Sequence, residues 1–566
     1  MDTVELDQSL KVLQDHKNEW ARLPIREKLA LLDKVHQRLA ARGAAWVEAS
    51  VQGKQMRPHS PEEGEEWTGG PWTFAQAING YKDTLSALAQ GHILMPKKIH
   101  TRYNGQLAAH IFPNSLLDKI LLNGVTAEVW MQPGITKANL EDTMVAFYRQ
   151  NNPPGKVALV LGAGNIAGIP PRDILYQLYG LGHVVILKMS PVNDYLGPIF
   201  EDIFAPFLQA GYLRFAYGNA DVGDYLVHHA GVEEIHMTGS SRTYQTILFG
   251  NGSEGAERQR QDRPLLNKPF TGELGGVTPT IIVPGKWSKA DLRFHAENVV
   301  TMKLYNAGFN CVSTQVLVLP EKWEQRAEFL DAIRTLMREL PARKSYYPGA
   351  AERQQQAVAA HPEAELLGGE VPRTLIAGLD PDTGNEFCFQ KELFSPVLAQ
   401  TSLPGRDAAE FLHNAVQFCN EKLYGTLGAT IIIHPATMKK LGRDFETALT
   451  DLHYGSIGVN IWNAAAFLLV QATWGAFPGH TTADIQSGFG FVGNSFLFGK
   501  PERTVVHGSF YPFPRSWLHG DPTFLPKPPW FITNKTAHTT TRGVARITLD
   551  PRYRHLPGIL LSALLG

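Results

Sequence analysis

The segment Val157-Ala158-Leu159-Val160-Leu161-Gly162-Ala163-Gly164-Asn165-Ile166-Ala167-Gly168 decides the fold of this chain. Its first five residues form an apolar run that predicts a buried strand, and the glycines after it indicate a tight turn. A helix is expected to start near Pro170, and a second apolar strand, 184–187, ends at Lys188. This order of strand, glycine turn, helix and strand predicts a Rossmann-type parallel sheet, which binds a dinucleotide at the carboxyl ends of its strands.

The glycine pattern departs from the usual dinucleotide fingerprint in two ways. The spacing is GxGxxxG where the fingerprint has GxGxxG, and Lys188 stands where an acidic residue would hold the ribose. Glycine turns also occur as plain tight connections between a strand and a helix. This segment alone therefore leaves both a nucleotide site and a structural turn open.

A cysteine and a glutamate farther along the chain have the residue types of a nucleophile and its base. Cys311 follows the polar, glycine-bearing segment 306–310 and precedes the apolar run 315–319, so its thiol is expected at the mouth of a strand. Glu273 lies between glycines in Thr271-Gly272-Glu273-Leu274-Gly275-Gly276, which leave the backbone free to approach closely. The pair suggests a thiolate with a carboxylate base, although an isolated cysteine is more often a buried, inert side chain.

Further motifs follow in order along the chain: Ile235-His236-Met237-Thr238-Gly239-Ser240, Glu273-Leu274-Gly275-Gly276-Val277-Thr278-Pro279, Lys391-Glu392-Leu393-Phe394-Ser395-Pro396-Val397 and Gly455-Ser456-Ile457-Gly458-Val459-Asn460. Together with Asn165, Lys188 and the Cys311 segment, they resemble the motifs of the NAD(P)-dependent aldehyde dehydrogenase superfamily over roughly residues 20–500. Met237 stands where that family has an aromatic residue, and Tyr244 where it has a glycine. The chain is identified as a divergent member with a C-terminal extension.

The resemblance implies an α/β fold with a Rossmann-type dinucleotide-binding domain, an α/β catalytic domain and a small β oligomerisation arm. The domain boundaries that it implies are 1–135 and 153–284 for nucleotide binding, 285–470 for catalysis, and 136–152 with 488–507 for an arm of small strands. Residues 508–566 lie outside it as a C-terminal extension. Because the family is usually oligomeric, a homodimer or homotetramer is expected.

The resemblance also assigns roles residue by residue. Cys311 would attack an aldehyde, Asn165 would stabilise the oxyanion, and Glu273 would act as the base that releases a carboxylic acid from a Cys311 thioester formed through a thiohemiacetal. The cofactor, NAD or NADP, would be bound by Gly162, Lys188, Ser190, Gly239, Ser240, Glu392 and Phe394. No metal is expected. Pro191 leaves no carboxylate beside a 2′-phosphate, which favours use of both nucleotides or of NADP.

Two other functions stay open. In a coenzyme A-acylating aldehyde dehydrogenase or acyl-CoA reductase, coenzyme A would replace water, but such members commonly lack a carboxylate at the position of Glu273. A catalytically silent binding or structural protein on the same fold is the third possibility. The presence of Cys311, Glu273 and Asn165 argues against it.

Composition excludes several classes of protein. The 566 residues carry 53 basic and 54 acidic side chains, a formal net charge of −1, so the chain has no electrostatic footprint for nucleic acid. Three cysteines without a CxxC pair suggest neither a disulfide framework nor zinc. The first residues lack the pattern of a secretory signal and no apolar run reaches the roughly 20 residues of a membrane span. A cytoplasmic location is therefore expected.

The remaining expectations concern less distinctive segments. Residues 5–50 predict amphipathic helices, and the polar stretch 51–71 predicts a surface loop. The large aromatic residues expected near the substrate mouth suggest an apolar or aromatic aldehyde, although core packing explains them equally well; they are Trp462, Phe467, Trp474 and Phe477. His236 and His480 are interpreted as structural. The Pro- and aromatic-rich extension is expected to pack on its own or a neighbouring subunit, with a membrane or partner contact as the alternative.

Overall fold

A computed structural model describes residues 1–369 and 371–566 of the chain as a mixed α/β protein. The strands of the described residues, β1 to β19 in chain order, are Lys98–Thr101, Leu107–Phe112, Thr126–Met131, Val157–Leu161, Val184–Lys188, Leu213–Ala216, Glu234–Gly239, Phe270–Leu274, Thr278–Ile282, Thr314–Pro320, Glu365–Leu367, Arg373–Leu379, Val397–Leu403, Gly428–Ile432, Ser456–Val459, Thr473–Gly475, Gly488–Phe489, Phe491–Gly493 and Pro501–His507.

The α-helices of the same residues, α1 to α23 in chain order, are Thr3–Arg22, Ile25–Gly53, Glu63–Trp67, Thr73–Ala89, Leu116–Leu121, Leu140–Thr143, Ile169–Leu175, Gly197–Ile203, Ala205–Gln209, Ala220–His228, Ser241–Phe249, Gly252–Arg260, Lys289–Leu304, Arg326–Glu339, Ala350–Ala360, Phe387–Gln390, Ala408–Lys422, Pro435–Leu441, Arg443–Asp451, Ala465–Leu468, Arg515–Leu518, Ala537–Leu549 and Leu556–Leu564. Shorter 3-10 or π turns lie at Thr68–Trp72, Ala146–Arg149, Tyr176–Gly180, Asp194–Leu196, Tyr305–Gly308 and Tyr553–His555.

The predicted Rossmann-type unit is a six-stranded sheet with the order β17-β8-β7-β4-β5-β6. All neighbours in it are parallel except β17, which pairs antiparallel with β8. Leu161 at the end of β4 pairs with Lys188 on one side and with Met237 on the other. The carboxyl ends of these strands therefore meet at one edge of the sheet, as the sequence predicts.

The second sheet has eleven strands in the order β1-β2-β3-β19-β15-β14-β9-β10-β13-β12-β11. Its centre, from β19 to β12, is parallel, while β1, β2 and β3 extend one edge as antiparallel strands. The Cys311 loop leads directly into β10, one of its inner strands. The two sheets thus bring Glu273 on β8 and Cys311 before β10 to a shared boundary.

Two predicted boundaries differ from the strand pairing of the structure. Strand β9 lies within 153–284 but pairs in the eleven-stranded sheet, so the change of sheet occurs between β8 and β9. Residues 136–152 form helix α6 and a 3-10 turn rather than small strands. The antiparallel strands lie at 98–131 instead, where β2 pairs with β3 and β3 pairs with β19. Whether 136–152 and 488–507 join subunits stays a prediction.

The N-terminal region confirms the predicted amphipathic helices, and the segment after it corrects the predicted surface loop. Helices α1 and α2 cover 3–22 and 25–53, and their apolar faces are buried. The predicted surface loop at 51–71 is wrong for its second half, where α3 and a π turn are largely buried. Polarity misleads here because the charges of Glu65 and Glu66 are paired inside the protein with Arg343 and Lys54.

The C-terminal extension packs on its own chain. After an irregular proline-rich stretch, helix α22 lies against α3 and α4, and α23 packs on α22. The contact between α22 and α3 is close, since a β-carbon at Gly64 would stand 2.8 Å from the Ala537 carbonyl carbon. In the described part of the chain, no helix is both long enough and apolar enough to cross a bilayer.

Candidate active site

A deep cleft of about 850 Å³ runs along the carboxyl edge of the six-stranded sheet. Its lining includes every residue that the sequence predicts for catalysis or cofactor binding: Gly162, Asn165, Lys188, Ser190, Gly239, Ser240, Glu273, Cys311, Glu392 and Phe394. A volume of this size is within the range of small-molecule and cofactor sites, about 300–1,000 Å³. The structure therefore brings the predicted residues together, and their individual roles stay predictions.

The backbone before Cys311 has an unusual conformation. Helix α13 ends at Leu304, after which Asn306 and Ala307 have positive φ values of 52° and 56°, followed by Gly308 at 87°. Left-handed conformations are costly for residues other than glycine and persist only where their surroundings fix them. The Asn306 backbone N–H donates to Glu65 Oε2 at 3.0 Å, which is one such fixed contact. The Cys311 loop is thus held by groups far away in the sequence.

The Asn165 carbonyl accepts hydrogen bonds from three side chains. Lys54 Nζ lies 3.2 Å away, Asn306 Nδ2 3.1 Å and the Tyr346 hydroxyl 3.0 Å. The Asn165 carboxamide itself donates from Nδ2 to the Phe309 carbonyl at 3.0 Å. A carboxamide nitrogen has two N–H donors, so a second one is available to a ligand. These bonds tie the Asn165 turn to the Cys311 loop.

The carboxyl of Glu273 lies beside the Cys311 thiol and the Trp474 indole N–H. Burial raises the pKa of Glu273, and the thiol, the indole and Arg172 oppose that rise. Burial also raises the pKa of Cys311 well above its ordinary value, and the charge of Glu273 raises it further. Neither oxygen of Glu273 has a partner at hydrogen-bonding geometry. Burial and the neighbouring carboxylate thus both disfavour the thiolate of Cys311, and the carboxyl of Glu273 is the acidic group beside the thiol.

Glu392 lies in the cleft close to the backbone of Gly275. A β-carbon on Gly275 would stand 1.9 Å from Glu392 Oε1, so a larger residue there would displace the carboxyl. Burial raises the pKa of Glu392 to about 8, against the opposing charges of Arg353 and Lys303. The buried Lys303 has its own pKa lowered to about 7, with Glu392 opposing that change. Glu392 is therefore a hydrogen-bonding group whose charge changes near neutral pH.

Phe394 is held by Arg353, a residue that the sequence analysis did not identify. Phe394 has a φ of 43°, and its ring packs 4.8 Å from that of Tyr347. The Arg353 guanidinium donates to the Leu393 carbonyl at 2.6 Å and to the Phe394 carbonyl at 3.1 Å. Because Arg353 and Phe394 both line the cleft, the guanidinium fixes a strained backbone at the site.

The other end of the cleft has the features of a nucleotide cradle. Gly162 and Gly239 offer bare backbone at the ends of β4 and β7. Ser240 is the N-cap of α11 and accepts from the Thr243 backbone N–H at 3.1 Å. Lys188 ends β5, and burial lowers its pKa. A cationic side chain, a helix N-terminus and glycines at the carboxyl ends of parallel strands fit a dinucleotide.

The last glycine of the GxGxxxG pattern has a packing role. The Gly168 backbone N–H donates to the Gly69 carbonyl at 2.8 Å, and a β-carbon on Gly168 would stand 2.3 Å from that oxygen. This close approach places Gly69 and Thr68, from the segment that was expected to be a surface loop, beside the Cys311 region. The glycine therefore joins the first βα turn to the wall of a second cavity.

That second cavity, of about 70 Å³, is almost wholly apolar and is lined by Thr68, Gly69, Ile166, Ile169, Tyr305, Asn310, Cys311, Val312, Trp462, Ala464, Ala465, Phe467, Leu468, Trp474 and Trp530. Cys311 thus borders both the cleft and this cavity. Three of the four aromatic residues expected near a substrate mouth line this cavity: Trp462, Phe467 and Trp474. Phe477 is not among them, because it stacks on His453 at 4.8 Å and packs under the Arg503 guanidinium.

Two histidines have partners that agree with the structural interpretation. His236 is buried, and its Nδ1 lies 2.9 Å from Thr271 Oγ1; burial lowers its pKa to about 4. His480 Nε2 lies 2.6 Å from Thr426 Oγ1. The sequence analysis missed Lys54, Arg353 and Trp530, which lie outside the motifs and reach the site from distant elements.

A largely parallel sheet with a cleft at the carboxyl ends of its strands places the chain in the class of α/β proteins. Residues 174–468 match the aldehyde dehydrogenase family. The chain belongs to that family. The overlap covers β5 to β15, including the Glu273, Cys311 and Glu392 segments.

Known proteins show the extent of the similarity. The chain is 25% identical over 351 residues to 1-pyrroline-5-carboxylate dehydrogenase from a Geobacillus species, which covers 58% of this chain. It spans 60% of the length of that curated relative. Lactaldehyde dehydrogenase from Escherichia coli shares the fold, with a TM-score of 0.57, 16% identity, and coverage of 88% of this chain and 90% of its own. An aldehyde dehydrogenase C mutant from Pseudomonas syringae, in complex with NAD+ and octanal, has a TM-score of 0.58 at 16% identity and covers 90% of this chain and 89% of its own.

Proposed function

We propose that this protein oxidises an apolar aldehyde to the carboxylic acid with NAD or NADP. The observation that carries the proposal is the position of Cys311, whose side chain borders both the nucleotide-type cleft and the apolar cavity. A nucleophile at that junction can hold an aldehyde carbonyl between a hydride acceptor and a pocket for the rest of the substrate. Membership of the aldehyde dehydrogenase family supports the same reaction.

The side chains around Cys311 supply the protein's part of the chemistry. In the complex with aldehyde and nucleotide, Glu273 accepts the thiol proton, and the thiolate adds to the aldehyde carbon to give a thiohemiacetal. The free N–H of the Asn165 carboxamide and the Cys311 backbone N–H stabilise the oxyanion. The nucleotide, when bound, supplies the hydride acceptor. Loss of the aldehyde hydrogen as hydride would leave a thioester on Cys311. Glu273, once it has passed the thiol proton to solvent, would activate the water that hydrolyses the thioester and releases the acid.

The cofactor residues of the proposal divide between the two ends of the cleft. Gly162, Lys188, Ser190, Gly239 and Ser240 would hold the adenosine and pyrophosphate, and Glu392 and Phe394 would bind the nicotinamide ribose and ring. Asp221 also lines the cleft, and its charge opposes the lowering of the Lys188 pKa. Because a lysine accepts either nucleotide, both NAD and NADP belong in the test.

An apolar substrate is favoured by the chemistry of the smaller cavity. Its lining, which lies wholly in the described part of the chain, contains neither Lys nor Arg. A substrate that carries a carboxylate would therefore enter this cavity without a counter-charge, at a large desolvation cost. This feature separates the proposed substrate from a charged semialdehyde.

The test is reduction of NAD and NADP, followed by absorbance, with butanal, benzaldehyde and succinic semialdehyde, with and without coenzyme A. The native chain and Cys311→Ala are compared. We expect turnover of the uncharged aldehydes without coenzyme A, and its loss in the variant. Turnover that requires coenzyme A would instead support the acylating reaction. Failure to turn over any aldehyde would support a binding or structural role.

A further inference from the structure

The cavity beside Cys311 is closed by a residue from the C-terminal extension. Trp530 lies 62 residues beyond the end of the matched family region at 468, yet it lines the same cavity as Cys311, Trp462 and Phe467. Trp530 is buried, with 8% of its surface exposed. The extension therefore contributes to the wall of the proposed substrate pocket.

The extension is fastened beside Trp530 to helix α13, which leads into the Cys311 loop. The Phe531 ring stacks on Phe294 at 5.2 Å, and the Ile532 backbone N–H donates to Thr301 Oγ1 at 3.2 Å. The Thr533 hydroxyl donates to Glu297 Oε2 at 2.8 Å. These contacts attach the extension to α13, the helix that leads into the Cys311 loop.

Contacts within the extension also hold the turn that presents Trp530. Asn534 Nδ2 donates to the carbonyls of Lys527 and Pro528 at 3.2 and 3.3 Å. The Lys527 ammonium lies 3.4 Å from Glu297 Oε2. These contacts lie on both sides of Trp530 in the sequence and hold the backbone of the turn that carries it.

Trp530 separates two cavities. Besides the 70 Å³ cavity beside Cys311, Trp530 lines another cavity of about 30 Å³ between α13 and the extension. Asn298, Ile461 and Phe531 also line this smaller cavity. Removal of the indole would join the two spaces to each other. A wall that can be removed in this way defines how far a substrate chain can extend from Cys311.

We propose that Trp530 sets the upper limit on the length of the aldehyde accepted at Cys311, and that the native substrates are short apolar aldehydes. The proposal rests on the function proposed above. The cavity beside Cys311 is small, about 70 Å³, and its lining is almost wholly apolar, which suits a short apolar aldehyde. A longer chain meets the indole, and only a smaller residue at this position gives it space.

Specificity constants for butanal and octanal test the proposal in the native chain, Trp530→Ala and Trp530→Phe. Each additional methylene that becomes buried improves kcat/KM by roughly fourfold. We therefore expect the octanal to butanal ratio to rise by about tenfold or more in Trp530→Ala, and by less in Trp530→Phe. An unchanged ratio in both variants would overturn the proposal.

The matched control is Trp517→Ala, in the same extension. Trp517 is 60% exposed, so its removal should leave the octanal to butanal ratio unchanged. A rise of the ratio in this control equal to that in Trp530→Ala would show a general loosening of the extension and contradict the specific role. If Trp530→Ala does not fold, Trp530→Phe and Trp530→Leu give the same comparison.

A second measurement does not depend on turnover. Cys311 is alkylated with iodoacetamide and with the bulkier N-benzylmaleimide, and the modified peptide is quantified by mass spectrometry. Cys388 and Cys419 are buried and serve as internal references. We expect Trp530→Ala to raise the rate with the bulky reagent about tenfold relative to the small one. If the native chain oxidises no aldehyde but the alkylation ratio rises in Trp530→Ala, the proposed function is refuted while Trp530 still forms the cavity wall. An unchanged ratio of alkylation rates would refute the proposal that Trp530 forms this wall.

Discussion

Lys54 donates a 3.2 Å hydrogen bond from its ammonium to the backbone carbonyl of Asn165, across 111 positions of sequence. The same ammonium forms a buried ion pair with Glu66 at 2.7 Å and donates to Asn306 Oδ1 at 3.0 Å. One buried cation thus contacts the turn that carries the predicted oxyanion donor and the loop that carries Cys311. Its contribution to catalysis would be positional, since Lys54 does not line the cleft.

Replacement of Lys54 by methionine should destabilise the protein and slow turnover. The change leaves the Glu66 carboxylate buried without its partner, which costs about 3–5 kcal/mol of unfolding free energy. Thermal unfolding and kcat with butanal measure the two effects. Lys11→Met is the control, because the Lys11–Asp15 pair is exposed and should give no measurable change in either quantity. Equal behaviour of the two variants would contradict the positional role.

Replacement of Glu273 by glutamine should change thiol reactivity and turnover in opposite directions. Burial raises the pKa of Cys311 and the charge of Glu273 raises it further, so removal of that charge lowers the pKa and increases the thiolate fraction at pH 8. Alkylation of Cys311 by iodoacetamide should become faster. Aldehyde oxidation should fall by about 100-fold or more, because the base for hydrolysis is lost. Slower alkylation in the variant would show that Glu273 activates the thiol in the absence of nucleotide.

Replacement of Asn165 by alanine should reduce kcat by about 100 to 1,000-fold with little effect on folding. The Phe309 carbonyl loses the Asn165 donor but keeps the hydrogen bond from Asn306 Nδ2 at 3.0 Å. The loop is therefore still supported, and the loss falls on the oxyanion. Asn414→Ala, which removes one surface hydrogen bond, is the control. A large drop in thermal stability of Asn165→Ala, without a drop in kcat, would assign Asn165 a structural role.

The sequence located the cleft because carboxyl ends of adjacent parallel strands must share an edge. The apolar runs that end at Gly162 and Lys188 were therefore sufficient to place two sides of it, and family motifs supplied the rest. Polarity failed at 51–71, where buried ion pairs satisfy Glu65 and Glu66. Local patterns do not indicate which distant segment closes a cavity, so the sequence alone does not distinguish Trp530 from the other aromatic residues of the C-terminal extension.

Replacement of Arg353 by methionine should weaken nucleotide binding. The change removes the two hydrogen bonds that hold the carbonyls of Leu393 and Phe394, and Phe394 has a strained φ of 43°. Hydrogen bonds from a charged group contribute about 1.5–3 kcal/mol each, so a weakening of the Kd by tenfold or more is expected. Fluorescence titration with NAD and NADP measures it. Arg406→Met is the matched control, because that side chain is 89% exposed. An unchanged Kd in Arg353→Met would show that Phe394 keeps its place without the guanidinium.

The affinity for the nucleotide should rise with pH through the titration of Glu392. Burial raises the pKa of Glu392 to about 8, while Arg353 and Lys303 oppose it and Glu273 adds to it. Below that pH the carboxyl is protonated, and above it the carboxylate accepts charge-assisted hydrogen bonds from ribose hydroxyls, which are roughly twice as strong as neutral ones. The Kd for NAD, titrated between pH 7 and 9, should therefore fall as the pH rises. Glu392→Gln should bind with a Kd that varies much less over the same interval, whereas Glu410→Gln, on the surface, should follow the native curve. Parallel pH profiles for the native chain and Glu392→Gln would remove Glu392 from the nucleotide site.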